Sequence, residues 1–297
     1  MIAHRLQAAL AAMLLAACSG DPAPPPAPTA DNPLLWEIAG ADGRVEGWLF
    51  GTIHALPDGT EWHSGAVAEV TGKADYLVLE VAALDDSDAI RRSFMALAQS
   101  PGQPPLALRL DPGRRQALGD LIASTSYDAD DFETIETWGA ALIMAQAIAS
   151  DAKPANGVDR ALQRHFAGRR IEEFEGASAQ FAIFDRLAEE DQRAMLAAVV
   201  DEAGLSKGRR SPAQIWLAGD LAALERETTS GILADPEVRE ALLVERNAAW
   251  VQRTVNLLRA GEQPLIAVGA AHLPGSDGMI ALLAAEGYTL RRIGQGP

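Results

Sequence analysis

The chain has 297 residues, 48% of them apolar and 22% charged, ordinary proportions for a globular protein with one large core or two small ones. A formal net charge of −16 argues against nucleic acid as a partner, because a phosphate backbone calls for a basic surface. The single cysteine, Cys18, has no partner within the chain for a disulfide.

At the N-terminus, His4 and Arg5 precede an apolar run from Leu6 to Ala17. Spanning a bilayer takes about 20 apolar residues, so the run is too short for that and suits a signal-peptide core. It ends in Leu15-Ala16-Ala17-Cys18, which resembles a bacterial lipobox. Residues 1–17 therefore read as a lipoprotein signal peptide and Cys18 as the lipidated first residue of the mature chain. Ser19 resembles the outer-membrane sorting pattern, which predicts a lipid-anchored protein of the cell envelope facing the periplasm. Residues 18–33 carry six prolines, at 22, 24, 25, 26, 28 and 33, and cannot form a core. As a polyproline-like tether, at about 3.1 Å per residue, Asp21 to Pro33 would hold a domain of residues 34–297 about 40 Å from the membrane.

The domain opens with an apolar run, Leu34 to Ile38, then Gly40-Ala41-Asp42-Gly43 and a second run from Arg44 to Phe50, the pattern of a hairpin. Ser64 to Lys73 predicts a short helix leading to a strand, Tyr76 to Ala82, interrupted only by Glu80. A strand, helix and strand in this order predict parallel pairing, with Glu80 beside the loop that follows Phe50. From Asp86 to Gly168 the pattern is mostly helical, with turn signals at Pro101 to Pro105 and Asp111-Pro112-Gly113. Trp138, Leu142, Ala145 and Ala149 predict one buried helix face, and this helical insertion could form a lid or wall. Arg170 to Glu175 reads as a strand, and Ala177 to Ala203 as a helix with Phe181, Phe184, Leu187 and Met195 on its apolar side. Two helices opened by proline follow, Pro212 to Glu227 and Pro236 to Arg259. A strand at Leu265 to Val268, a helix at Asp277 to Ala285 and a strand at Tyr288 to Ile293 close the chain.

Two of these strands end alike, in Gly51-Thr52-Ile53-His54 and in Gly269-Ala270-Ala271-His272. Each histidine follows a glycine turn and precedes a proline and glycine, which places it at a sheet edge facing a cleft. Glu80 calls for a partner, because an ionised carboxylate is costly to bury alone. His54, His272 and Glu80 supply the minimal set for a divalent metal with an open position for water, and Glu80 could instead be the general base. A hydrogen-bonded structural histidine at a strand end explains either motif equally well on pattern alone. The remaining histidines, His63 and His165, read as surface residues. No His-Glu-x-x-His, Gly-x-Ser-x-Gly or phosphate-binding glycine loop competes.

The paired Gly-x-x-His motifs resemble the TraB/GumN family, which is related to the Tiki metalloproteases. Asp75 to Glu80 resembles the family's acidic strand, Asn156-Gly157-Val158-Asp159 its central Gly-x-Asp, Arg246-Asn247 its late helix and Gly287 to Arg292 its closing strand. The second motif departs from many members in carrying Ala270-Ala271 where they have a middle glycine. The resemblance covers roughly Leu34 to Ile293 and implies an α/β fold, with a mixed, partly parallel sheet, surrounding helices and a helical insertion between the halves. It implies a metal-dependent hydrolase, most plainly a peptidase, using manganese, cobalt or zinc and acting on a peptide or small molecule. Arg246 and Asp159 enter as candidates for transition-state charge or ligand orientation, with Glu175 as a third carboxylate. Two alternatives stay open: a lipoprotein that binds haem or a peptide without catalysis, and a metal-free, esterase-like site with His54 as base beside Glu80.

Overall fold

The structure is a computed structural model that describes residues 33–82, 86–148, 151–205 and 210–294. Residues 1–32, on which the expected signal peptide, Cys18 and most of the expected tether fall, lie outside the described residues, as does Ala149. The first two strands, β1 (Leu35–Ala39) and β2 (Val45–Thr52), form the expected antiparallel hairpin, with Gly43 at φ 78° in its turn. Helix α1 (Gly65–Lys73) leads to β3 (Tyr76–Leu79), which is buried along its whole length.

The insertion contains α2 (Ser87–Ala98), α3 (Arg115–Ala123), α4 (Thr137–Ala147) and α5 (Val158–His165), followed by the short strand β4 (Ile171–Glu173). Trp138 of α4 is fully buried, but Leu142 and Ala145 are only half-buried, while Ala140, Ala141 and Met144 are enclosed. The helix is thus wrapped on most sides by α3, α7 and α2, and the single buried stripe is corrected.

The one helix expected over 177–203 is two, α6 (Ala177–Asp185) and α7 (Glu189–Leu205). The second starts on Glu189, Glu190 and Asp191, acidic residues that suit the positive end of a helix dipole. The helix expected over 212–227 also divides, into α8 (Pro212–Leu217) and α9 (Leu221–Glu227). Gly219 takes φ 58° between them, and the Asp220 carboxylate accepts from the Ala223 N–H at 3.0 Å. The third runs through as α10 (Pro236–Arg239), a π turn over Glu240–Val244, and α11 (Glu245–Arg259). The chain ends with β5 (Pro264–Gly269), α12 (Met279–Ala285) and β6 (Thr289–Arg292).

The six strands form one mixed sheet in the order β4-β3-β5-β2-β1-β6. β4, β3, β5 and β2 are mutually parallel, and β1 runs against both β2 and β6. The expected α/β fold with a partly parallel sheet is therefore the fold observed. One pairing differs from expectation: β3 does not lie against β2, because β5 sits between them, Gly51 facing Val268 and Val78 facing Ile266. β5 is buried from Pro264 to Val268, so the central slot goes to a strand apolar on both faces. Two apolar cores result, one around the sheet and one within the helical insertion and α7, the latter including Trp138, Met195 and Val199. No helix among the described residues is long and apolar enough to cross a membrane.

Candidate functional site

In a parallel sheet the carboxyl ends of neighbouring strands open on one edge, where a crevice forms. Here four neighbouring strands deliver, in spatial order, Glu175 beyond β4, Glu80 beyond β3, Gly269 at the end of β5 and His272 beyond it, and His54 beyond β2. Arg246 comes from α11, two residues past the π turn, and its Nη1 donates to the Leu242 carbonyl at 2.8 Å. A π turn inside an α-helix advances the residues after it by one position around the axis and marks functional sites in many helices.

Arg246 joins the charges. Its Nη2 donates to Glu80 Oε2 at 2.8 Å and to Glu175 Oε1 at 2.6 Å, and its guanidinium lies 4.4 Å from the Trp250 ring centre. Glu80 Oε1 accepts from the Gly269 N–H at 2.7 Å, and Oε2 from Gln180 at 3.3 Å. The partner that Glu80 required is thus a guanidinium and a backbone amide, in addition to any metal. Burial alone would raise the Glu80 pKa; His272, Arg246, His54 and the Gly269 N–H overcome it and hold the group at about 2. Glu175 moves the other way, raised by burial more than Arg246 lowers it, and by the neighbouring Glu80 charge. Two carboxylates on one guanidinium therefore have separated affinities for a proton.

Each histidine is anchored through Nδ1, leaving Nε2 to face the crevice. His54 Nδ1–H donates to Asp159 Oδ2 at 2.8 Å, while Asp159 Oδ1 accepts from Thr52 Oγ1 at 2.6 Å. Asp159 sits in the first turn of α5, whose start is pressed against the loop: the Val158 N–H donates to the Ile53 carbonyl at 2.8 Å. A Cβ on Gly157 would stand 2.4 Å from the His54 carbonyl oxygen, so only glycine allows this approach. Gly157→Ala should destabilise the fold by about 2 kcal/mol and disturb the His54–Asp159 contact. Urea unfolding checks the first effect; a loss below 0.5 kcal/mol would count against the close packing.

His272 Nδ1–H donates to Asn247 Oδ1 at 2.6 Å, an orientation set by the Asn247 amide donating to the Asp277 carbonyl at 2.8 Å. With Nδ1 protonated, Nε2 carries the lone pair, and Arg246 Nη1 approaches it at 3.3 Å. His272 is only 5% exposed, so it lines the crevice from within the core and does not project from the sheet edge as expected. Burial, with Arg246 and His54 nearby and against the pull of Glu80, lowers its pKa to about 4. Since His272 is then neutral at pH 7, Arg246 and the Gly269 N–H hold Glu80 ionised there.

His54 is the opposite case. The Asp159 carboxylate, against some loss from desolvation, raises its pKa to about 9, and solvent around its 72% exposed side chain screens part of that attraction. Nitrogen-15 NMR of the histidine rings in metal-free protein should show His54 titrating above 6.5 and His272 still neutral at pH 5. Asp159→Asn should return His54 toward 6.5; an unchanged His54 titration would show that Asp159 is not its cause. The sign follows from linkage: the His54–Asp159 pair adds stability below pH 6.5 that is lost as pH rises through the folded pKa.

The donor set suits a divalent metal: two imidazoles with Nδ1 engaged and one carboxylate. A Cβ placed on Gly269 would lie 3.1 Å from Glu80 Oε1, 3.9 Å from His54 Nε2 and 3.7 Å from His272 Cδ2, so the glycine leaves a hollow bordered by all three. His272 Nε2 and Glu80 Oε1 are 3.8 Å apart, the spacing of two ligands on one ion. The three residues do not converge as tightly as the one set of donors that meets within 4.8 Å among the described residues, the half-buried Asp191 and Asp235 with exposed Glu237. Arg246 already occupies the lone-pair side of His272.

The structure thus brings together His54, Glu80, His272, Arg246, Asp159 and Glu175. Thr52, Gln180 and Asn247 were missed as contributors; only Asn247 had a signal, its adjacency to Arg246. The expected surface histidines stack on one another, ring centres 3.6 Å apart, with His165 exposed and His63 half-buried.

Comparison with known proteins adds a family. The sequence profile of the TraB/PrgY/gumN family matches residues 34–292. No curated protein and no solved structure matches.

Proposed function

The chain belongs to the TraB/PrgY/gumN family, and from that premise we propose that it is a hydrolase that activates water in the hollow over Gly269 and cleaves a peptide bond. The observation that carries this reading is the pair of Nδ1-anchored imidazoles facing one ionised carboxylate across a space that a side chain would fill. A divalent cation held by His54 Nε2, His272 Nε2 and Glu80 would supply Lewis acidity and lower the pKa of a bound water.

The chain's own residues do the rest. His54, with Nδ1–H held by Asp159, gives up the Nε2 proton that its raised pKa keeps at neutral pH and offers that lone pair to the cation, and the proton of the water passes to Glu80. Glu80 is held ionised and orients the water through Oε1, the oxygen that Gly269 also addresses. The guanidinium of Arg246 stands ready to meet negative charge developing on the carbonyl oxygen of the scissile bond. Trp250, buried 4.6 Å from the His272 ring, and the buried strands β3 and β5 exclude bulk water from the inner side. The lipobox-like Leu15 to Cys18 supports placing this activity on a lipid anchor in the periplasm, at the outer membrane.

The contact of Arg246 with the His272 lone pair favours a second reading, in which no metal binds and His54 with Asp159 is the sole base. Elemental analysis of residues 19–297 after loading with manganese, cobalt or zinc, beside His54→Ala and His272→Ala, separates the two. About one metal per chain, lost in each folded variant, supports the metal-dependent reading. Hydrolysis of a peptide mixture that survives a chelator, in protein free of metal, supports the second. Neither metal nor hydrolysis would remove both and leave a binding protein.

A further inference from the structure

A cavity of about 350 Å³ begins at Arg246 and His272 and extends into the helical part of the molecule. Its walls are Leu142, Phe184, Leu233, Leu242 and Leu243, from α4, α6, the turn before α10 and the π turn. Leu142, Phe184 and Leu233 are half-buried, so apolar surface faces the space. At its margin stand Glu202 and Glu227, both exposed. Gly231, at φ 57°, carries no side chain over Glu202, whose Oε2 would lie 3.9 Å from a Cβ there. A second cavity of about 560 Å³, lined by Phe174, Glu175, Arg186 and Arg253, also borders Arg246. The reacting centre thus lies between two cavities, as a site for an extended chain requires.

We propose that the first cavity is a substrate subsite that takes a large apolar side chain next to the scissile bond and, beyond it, a cationic group facing Glu202 and Glu227. The proposal rests on the hydrolase reading for what happens at the bond, but the binding it describes does not. An apolar side chain buried against these leucines gains about 25 cal/mol per Å² removed from water, and exposed carboxylates add a smaller, salt-dependent attraction that fixes the direction of the chain.

Binding is measured by fluorescence anisotropy in a His54→Ala background, so that turnover does not consume the probe. The probe is a labelled octapeptide with a central leucine and two lysines on one flank. It is compared with versions carrying glutamates for the lysines or serine for the leucine. The lysine peptide should bind about fivefold tighter than the glutamate peptide, with the difference fading in 0.5 M salt. Glu202→Lys with Glu227→Lys should reverse that order, and the serine probe should bind at least about tenfold more weakly than leucine. Leu233→Ser should narrow the leucine–serine difference; should it fail to fold, the probe comparison alone decides. Equal binding of all three probes, or an order untouched by the double charge reversal, overturns the subsite. Cleavage by the parent is read separately: hydrolysis without this selectivity leaves the hydrolase and removes the subsite, whereas selective binding without hydrolysis leaves the subsite and removes the hydrolase.

Discussion

Arg246→Ala is expected to destabilise the folded protein by about 3–5 kcal/mol at pH 7, the range for breaking a buried ion pair from one side. The arginine side chain is 10% exposed, and the carboxylates it holds, Glu80 and Glu175, are 9% and 13% exposed. Without it, two like charges face each other in a site that water does not reach well. Acid should narrow the deficit, and the sign can be traced group by group. Glu80, at about 2 against an ordinary 4.5, contributes stability that is complete above pH 4.5 and lost as pH falls toward 2. Glu175, raised by burial, contributes below its ordinary value and loses that contribution as pH rises through its folded pKa. Removing Arg246 takes away a principal cause of the Glu80 depression, so the variant's carboxylates protonate more readily and their repulsion fades in acid. Urea unfolding at pH 7 and pH 4 reads this directly. A deficit below 1 kcal/mol at pH 7, or one that grows at pH 4, would contradict the buried network. Adding Glu80→Gln to Arg246→Ala should restore about 1–2 kcal/mol, because one of the two unpaired charges is then gone.

His54→Ala should show the opposite signature. The side chain is 72% exposed, so its loss removes little packing, and Thr52 continues to donate to Asp159. Stability should change by about 1 kcal/mol or less. Hydrolysis should fall about 10³-fold, through loss of the cation in the first reading and of the general base in the second. Thermal melting and turnover of a peptide mixture, measured on the same preparation, give both numbers. A variant that keeps a tenth of parental activity would exclude His54 from the reacting centre in either reading. Large loss of stability with small loss of rate for Arg246→Ala, and the reverse for His54→Ala, would divide the site into its scaffold and its reactive face.

How legible this was depends on how local each feature is. The hairpin at Asp42-Gly43, the buried β3 and β5 and the proline-opened helices were readable because alternation, apolar runs and turn residues act within a few positions. The helices merged over 177–203 and 212–227 were separable in principle. Glu189-Glu190-Asp191 and Gly219-Asp220 are start and stop signals, passed over because apolar residues continue on both sides. The even burial of α4 was not readable, since periodicity reports which face is apolar and not how many neighbours will cover the rest.

By itself the sequence determined most of the local elements, the two strand-end histidines and the charged residue at the end of a buried strand that calls for a partner. Tertiary structure alone decided that β5 enters between β3 and β2, which places His272 and the Gly269 N–H between Glu80 and His54. It alone decided that Glu80 is answered by Arg246, 166 positions later, and His54 by Asp159, 105 positions later. The physical reason is that periodicity and turn chemistry are short-range, whereas strand order and charge pairing are settled by the competition of distant segments for one buried edge.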